Sequence, residues 1–94
     1  MRGVRMNYVI AAARVRAAMG STAEATRSLE ATLAEAGKYG YVGYQLEARL
    51  ALGETELKSG KTAAGRARLF TLQTDAFARD FGLIARKAGK ALTQ

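Results

Sequence analysis

The sequence predicts an all-α fold, about five helices stacked as antiparallel hairpins in one 94-residue domain. Three observations carry this. Alanine, leucine and arginine dominate and proline is absent, a composition that favours helices. Apolar residues recur at helical spacing along the whole chain, the signature of amphipathic helices. Glycines at positions 20, 40, 60 and 82 punctuate these runs, leaving short connections of about two to four residues that make neighbours antiparallel.

The first helix is predicted from about Val4 to Met19, with Met6, Val9, Ile10, Ala13 and Ala17 on one face and Gly20 as its end. Ser21 and Glu24 have the S-x-x-E spacing of a capping box, which places the second helix start there. Its core side is Ala25, Leu29, Leu33 and Ala36, and Gly37 and Gly40 bracket its end. The third helix, Tyr41 to Lys58, organises the chain. It carries two apolar stripes about half a turn apart, Tyr41, Tyr44, Ala48, Ala51 and Leu52 on one and Val42, Leu46, Leu50 and Leu57 on the other. A surface helix needs one such stripe, so this helix is expected to be packed from two sides. The fourth helix, Thr62 to about Phe81, is read in the same way. Ala63, Ala67, Phe70 and Phe77 line one side, Leu69, Leu72 and Ala76 the other, and Gly82 ends it. A last helix follows from Leu83 to Leu92, with Ile84, Ala88 and Leu92 inward.

Composition excludes several chemistries. There is no cysteine and no histidine, which removes disulfides, thiolate or imidazole metal sites, and cysteine or histidine catalysis. The early YVIAAA run is interrupted by Arg14 and Arg16, so it does not read as a signal peptide. No run approaches the ~20 apolar residues of a membrane span, and a soluble, cytoplasmic protein is expected. The net charge of +7 sits entirely at the ends. Arg2, Arg5, Arg14 and Arg16 precede any acid, Arg86, Lys87 and Lys90 follow the last one, and residues 24–82 are balanced.

The chain also repeats itself. Laying Gly20 on Gly60 also lays Thr22 on Thr62, Ala25 on Gly65, Leu29 on Leu69 and Ala36 on Ala76. A slightly longer shift lays Gly40-Tyr41 on Gly82-Leu83. Each unit is a helix, a glycine turn, and a second helix with a small residue five positions after the glycine. Ala25 and Gly65 are those small residues, which let paired helices approach closely. This order of parts resembles the tetratricopeptide repeat, in a long variety of about 40–42 residues against the usual ~34. The second unit matches through Leu52-Gly53, Gly60, Gly65 and Leu69, and the first through Ala13, Gly20, Ala25 and Leu29. The resemblance implies a short right-handed superhelix, with repeats at about 4–40 and 41–81 and a capping helix at about 82–93.

It also implies a role. Such stacks bind proteins or peptides on a concave surface lined by the first helix of each pair. Here that lining is Asn7, Ile10 and Arg14, then Glu47, Leu50, Glu54 and Leu57. A peptide of mixed charge with apolar anchors fits it, the partner's identity being open. The alternative from a different class is nucleic-acid binding through the basic ends. No enzyme activity, cofactor or metal is expected. Gly60-Lys61-Thr62 ends like a phosphate-binding loop, but Thr55 stands where its first glycine belongs. Gly37, Gly40 and Gly43, interleaved with Tyr39, Tyr41 and Tyr44, are read as an inter-repeat turn with two core tyrosines rather than as a small pocket. Finally, Tyr8, Ala12, Val15 and Met19 form a second apolar row on the first helix, where an end repeat is expected to be polar. The row predicts a homodimer, or a place in a longer repeat array.

Overall fold

All 94 residues are described by a computed structural model, in which helices begin at regular intervals. They are α1 (Arg2–Ala18), α2 (Thr22–Lys38), α3 (Val42–Lys58), α4 (Thr62–Ala78) and α5 (Gly82–Leu92), with no strand. The first four are each 17 residues long. Arg16, Lys38, Lys58 and Lys90 sit in the last turns of α1, α2, α3 and α5, where a cation complements the partial negative charge of the helix end.

One turn design recurs four times. At the end of α1, the Ser21 N–H donates to the Arg16 carbonyl and the Gly20 N–H to that of Ala17. The same pair of bonds recurs at Tyr41 and Gly40, at Lys61 and Gly60, and at Phe81 and Asp80. This geometry satisfies carbonyls that the helix end leaves open and requires one left-handed residue. Gly20, Gly40 and Gly60 supply it at φ 93°, 73° and 85°, and Asp80 at φ 64°. The fourth turn therefore differs from the sequence expectation. Asp80 makes it, α4 stops at Ala78, and Gly82 opens α5 rather than ending α4. The repeat is uniform along the chain, one unit carrying Gly20 onto Gly60 and Gly40 onto Asp80. Ser21 is the residue before α2 as expected, but its side chain makes no cap bond, so the capping box is not formed.

Helices pack against their sequence neighbours, and α3 also touches α1 and α5, whereas α2 and α4 do not meet. This gives two layers, α1, α3 and α5 in one and α2 and α4 in the other. The double stripe on α3 does what it predicts. Ala48, Ala51 and Leu52 join Ile10, Ala13, Ala17, Ala25 and Leu29 in one core cluster. Leu46 and Leu50 join Leu69, Leu72, Ala76, Ile84 and Ala88 in the other. The fourth helix is different. Gly65, Leu69, Leu72 and Ala76 are buried, but Phe70 and Phe77 are 66% and 77% exposed, so α4 is packed from one side only.

The closest approach is between α3 and α4. A Cβ built on Gly65 would meet the Gly53 carbonyl oxygen and Leu57 Cδ2 at 3.0 Å, and one on Gly53 would lie 2.6 Å from Leu69 Cγ. Gly65→Ala gains about 1 kcal/mol of helix propensity but presses on the α3 backbone, and overpacking of this kind costs roughly 1–3 kcal/mol. Thermal unfolding is expected to show a net loss of stability for Gly65→Ala and a larger one for Gly65→Leu. Arg66→Ala, which removes an exposed hydrogen bond to the Leu92 carbonyl, is expected to cost under about 0.5 kcal/mol. Equal effects at positions 65 and 66 would show that the α3–α4 contact does not depend on close approach.

Candidate functional site: the face of the α1, α3 and α5 layer

Two cavities are lined only by α1, α3, α5 and the chain segments at their ends. The larger, about 720 Å³, takes Asn7 from α1 and Tyr41, Gly43, Tyr44 and Glu47 from the start of α3. Asp80 and Phe81 from the last turn and Leu83 and Ile84 from α5 complete it. The smaller, about 440 Å³, lies at the other end of the same helices, between Arg14, Glu54, Leu57, Lys58, Ala91 and Gln94. Because α1, α3 and α5 run in the same direction and each begins one repeat after the last, equivalent positions line up across the face. Asn7 and Glu47 are one such pair, both lining the larger cavity.

The rings of the larger cavity's aromatic wall pack over glycine backbone. The Tyr44 ring lies against Gly3, where a Cβ would meet its Cε2 at 3.4 Å, and the Phe81 ring lies against Gly43 at 3.5 Å. Tyr41 meets Tyr44 edge to face, with ring centroids 6.3 Å apart, a favoured arrangement for two rings. Neither tyrosine is fully buried, though Tyr44 packs against the core cluster shared by α1, α2 and α3. Tyr41 is exposed and Tyr44 half-buried, and with Gly43 they line the pocket that the sequence reading sets second. Gly37, Gly40 and Tyr39 take no part in it.

The predicted groove residues divide. Asn7, Arg14, Glu47, Glu54 and Leu57 line one or other cavity. Ile10 and Leu50 do not, being buried in the two core clusters. They point between the layers, Ile10 into the cluster with α2 and Leu50 into the cluster with α4. The sequence reading also misses Asp80 and the whole contribution of α5, because it takes the lining from the two complete hairpins alone. The uniform period, which places Leu83 and Lys87 on Gly43 and Glu47, is the signal that finds them.

Part of the terminal basic charge is paired within the fold, all of it at the N-terminal end. Arg2 and Arg5 both pair with Glu35 of α2, and the Arg2 guanidinium stacks 3.7 Å from the Tyr39 ring centre. Arg14 Nη1 donates to Glu54 Oε1 at 2.5 Å, tying α1 to α3 across the face. Arg49 pairs with Asp75 and Arg68 with Glu56. Glu47 and Asp80, the two acids of the larger cavity, have no such partner. The second apolar row of α1 is largely open, with Tyr8, Val15 and Met19 71%, 58% and 79% exposed and Ala12 half-buried.

No helix is long and apolar enough to cross a membrane. Comparison with protein-family models, curated proteins and solved structures gives no match.

The Arg5 hydrogen bond holds the Glu35 carboxyl below the usual glutamate range, with the charges of Arg5 and Arg2 adding to it and desolvation opposing it. A carboxyl whose pKa is lower folded than unfolded stabilises the fold above its unfolded value. That stabilisation is lost as the pH falls through the folded value. The Tm difference between the wild type and Glu35→Gln is therefore expected to be widest near neutrality and to shrink on acidification below about pH 5. A pH-independent difference would mean that the α1–α2 clamp works through packing alone.

Proposed function

We propose that this chain is a non-catalytic interaction scaffold of the tetratricopeptide-like kind, which binds a peptide segment of a partner protein along the face formed by α1, α3 and α5. The observation that carries the reading is the pair of cavities placed one after the other on that face. Both are lined by the same three helices, with a rigid aromatic wall at one end. Extended segments dock in this manner through a few side-chain pockets on a preformed surface. The basic-end alternative loses support from Arg2, Arg5 and Arg14, which share Glu35 and Glu54, and keeps it from Arg16, Arg86, Lys87 and Lys90. Peptides selected by the wild type from a random library are expected to lose most of their affinity for a Tyr44→Ala, Leu57→Ala variant and to keep it for a Phe70→Ser variant on the far layer. Selection of peptides indifferent to the first variant would overturn the reading.

Self-association through α1 belongs to the same proposal. Tyr8, Val15 and Met19 present exposed apolar surface, and the flanking Arg14 is paired with Glu54, whereas the unpaired Arg16 beside the row opposes a second copy until salt screens it. Burial of large apolar side chains contributes roughly 1.5–3 kcal/mol each. Sedimentation equilibrium is expected to show a dimer that Val15→Glu, Met19→Glu converts to a monomer. A wild type that stays monomeric at high micromolar concentration would end this part of the proposal.

A further inference from the structure

We propose that the larger cavity is an anchor site for an arginine side chain of the partner, an inference that rests on the peptide-binding reading above. The charge around it argues for a cationic guest. In a chain of net charge +7, this cavity contains two carboxylates, Glu47 and Asp80, and no basic residue. Neither carboxylate is met by an ion pair within the fold. Exposed charges are screened beyond ~8–10 Å at moderate salt, so the two acids that line the cavity weigh more on what enters than cations outside its lining.

The walls specify which cation. Tyr41, Tyr44 and Phe81 present aromatic faces and edges beside the carboxylates. A planar guanidinium both stacks on a ring and pairs bidentately with a carboxylate, whereas a compact ammonium meets the ring only as a point charge, as Lys38 does at Tyr39. The fold already holds an arginine with these two parts. Arg2 pairs with Glu35 while stacking on Tyr39. The larger cavity assembles the same parts, carboxylate and ring, with no arginine of its own.

The fourth turn places the second acid. Three of the four turns use glycine at the left-handed position, and the fourth uses Asp80 at φ 64°, a residue that visits this conformation more readily than most. Asp80 is the one of the four that lines this cavity.

Two small probes and two variants test the site on the full chain. The probes are N-acetyl-arginine methylamide and its neutral near-isostere N-acetyl-citrulline methylamide, titrated into isotopically labelled protein and followed by backbone amide shifts. The arginine probe is expected to move Tyr44, Glu47, Asp80 and Leu83 saturably, and the citrulline probe to bind about tenfold more weakly, the scale of a partly desolvated cation–π and charge contact. Asp80→Gly is expected to raise the Tm by several degrees while reducing arginine binding towards the citrulline level, so lost binding cannot be put down to lost folding. Glu47→Gln is expected to weaken it in the same direction. Equal binding of the two probes, or full arginine affinity in Asp80→Gly, would overturn the arginine site and leave the peptide groove standing. Selective arginine binding here, with library peptides indifferent to this face, would instead keep the site and remove the groove.

Discussion

The structure depends on a helix being buried from two opposite sides. All four other helices lean on α3, and the two core clusters meet only through it, one on the Ala48–Leu52 side and one on the Leu46–Leu50 side. A helix in that position must be slim where its neighbours cross it, which is why Gly53 and three alanine or threonine positions are buried along it. The helix propensity lost at Gly53, about 1 kcal/mol, is offset by Leu69 seating directly on the bare backbone. The first hairpin uses Ala13 and Ala25 at the equivalent places, a milder version of the same contact.

That layering also creates the candidate site. With α2 and α4 confined to one side, the opposite face of α1, α3 and α5 is free of covering helices. Parallel helices offset by one repeat bring like positions into rows, so a small change of residue along one row changes the chemistry across the face. Lys58, Lys87 and Lys90 gather at the far end around Glu54 and Gln94, opposite the acidic and aromatic end. The face is therefore polar along its length, and a bound segment would have a preferred direction.

The helices, their order and the central place of α3 were legible in the sequence because each rests on local periodicity and on glycine chemistry. What was not legible depends on which side of a helix has a neighbour. Phe70 and Phe77 have the spacing and size of core residues, yet no helix covers them, and periodicity alone cannot distinguish an apolar stripe that is packed from one that is open. Ile10 and Leu50 differ in the opposite sense, turned inward against α2 and α4 rather than out to the open face. The fourth turn was misplaced because a nearby glycine, Gly82, drew the assignment from Asp80. An aspartate tolerates the left-handed conformation better than most residues, and the regular positions 20, 40 and 60 point to 80.

The even spacing of the helices has a kinetic consequence. Almost every tertiary contact joins helices adjacent in sequence, and the most distant pairings, α1 with α3 and α3 with α5, reach only to the next helix but one. Chains built from such near contacts close only short loops on the way to the native state, and their folding rates lie in the microsecond-to-millisecond range. Either hairpin formed with α3 can seed the rest, since each already assembles one of the two clusters. Folding from either end towards a shared middle gives two parallel routes, and a substitution that slows one leaves the other open.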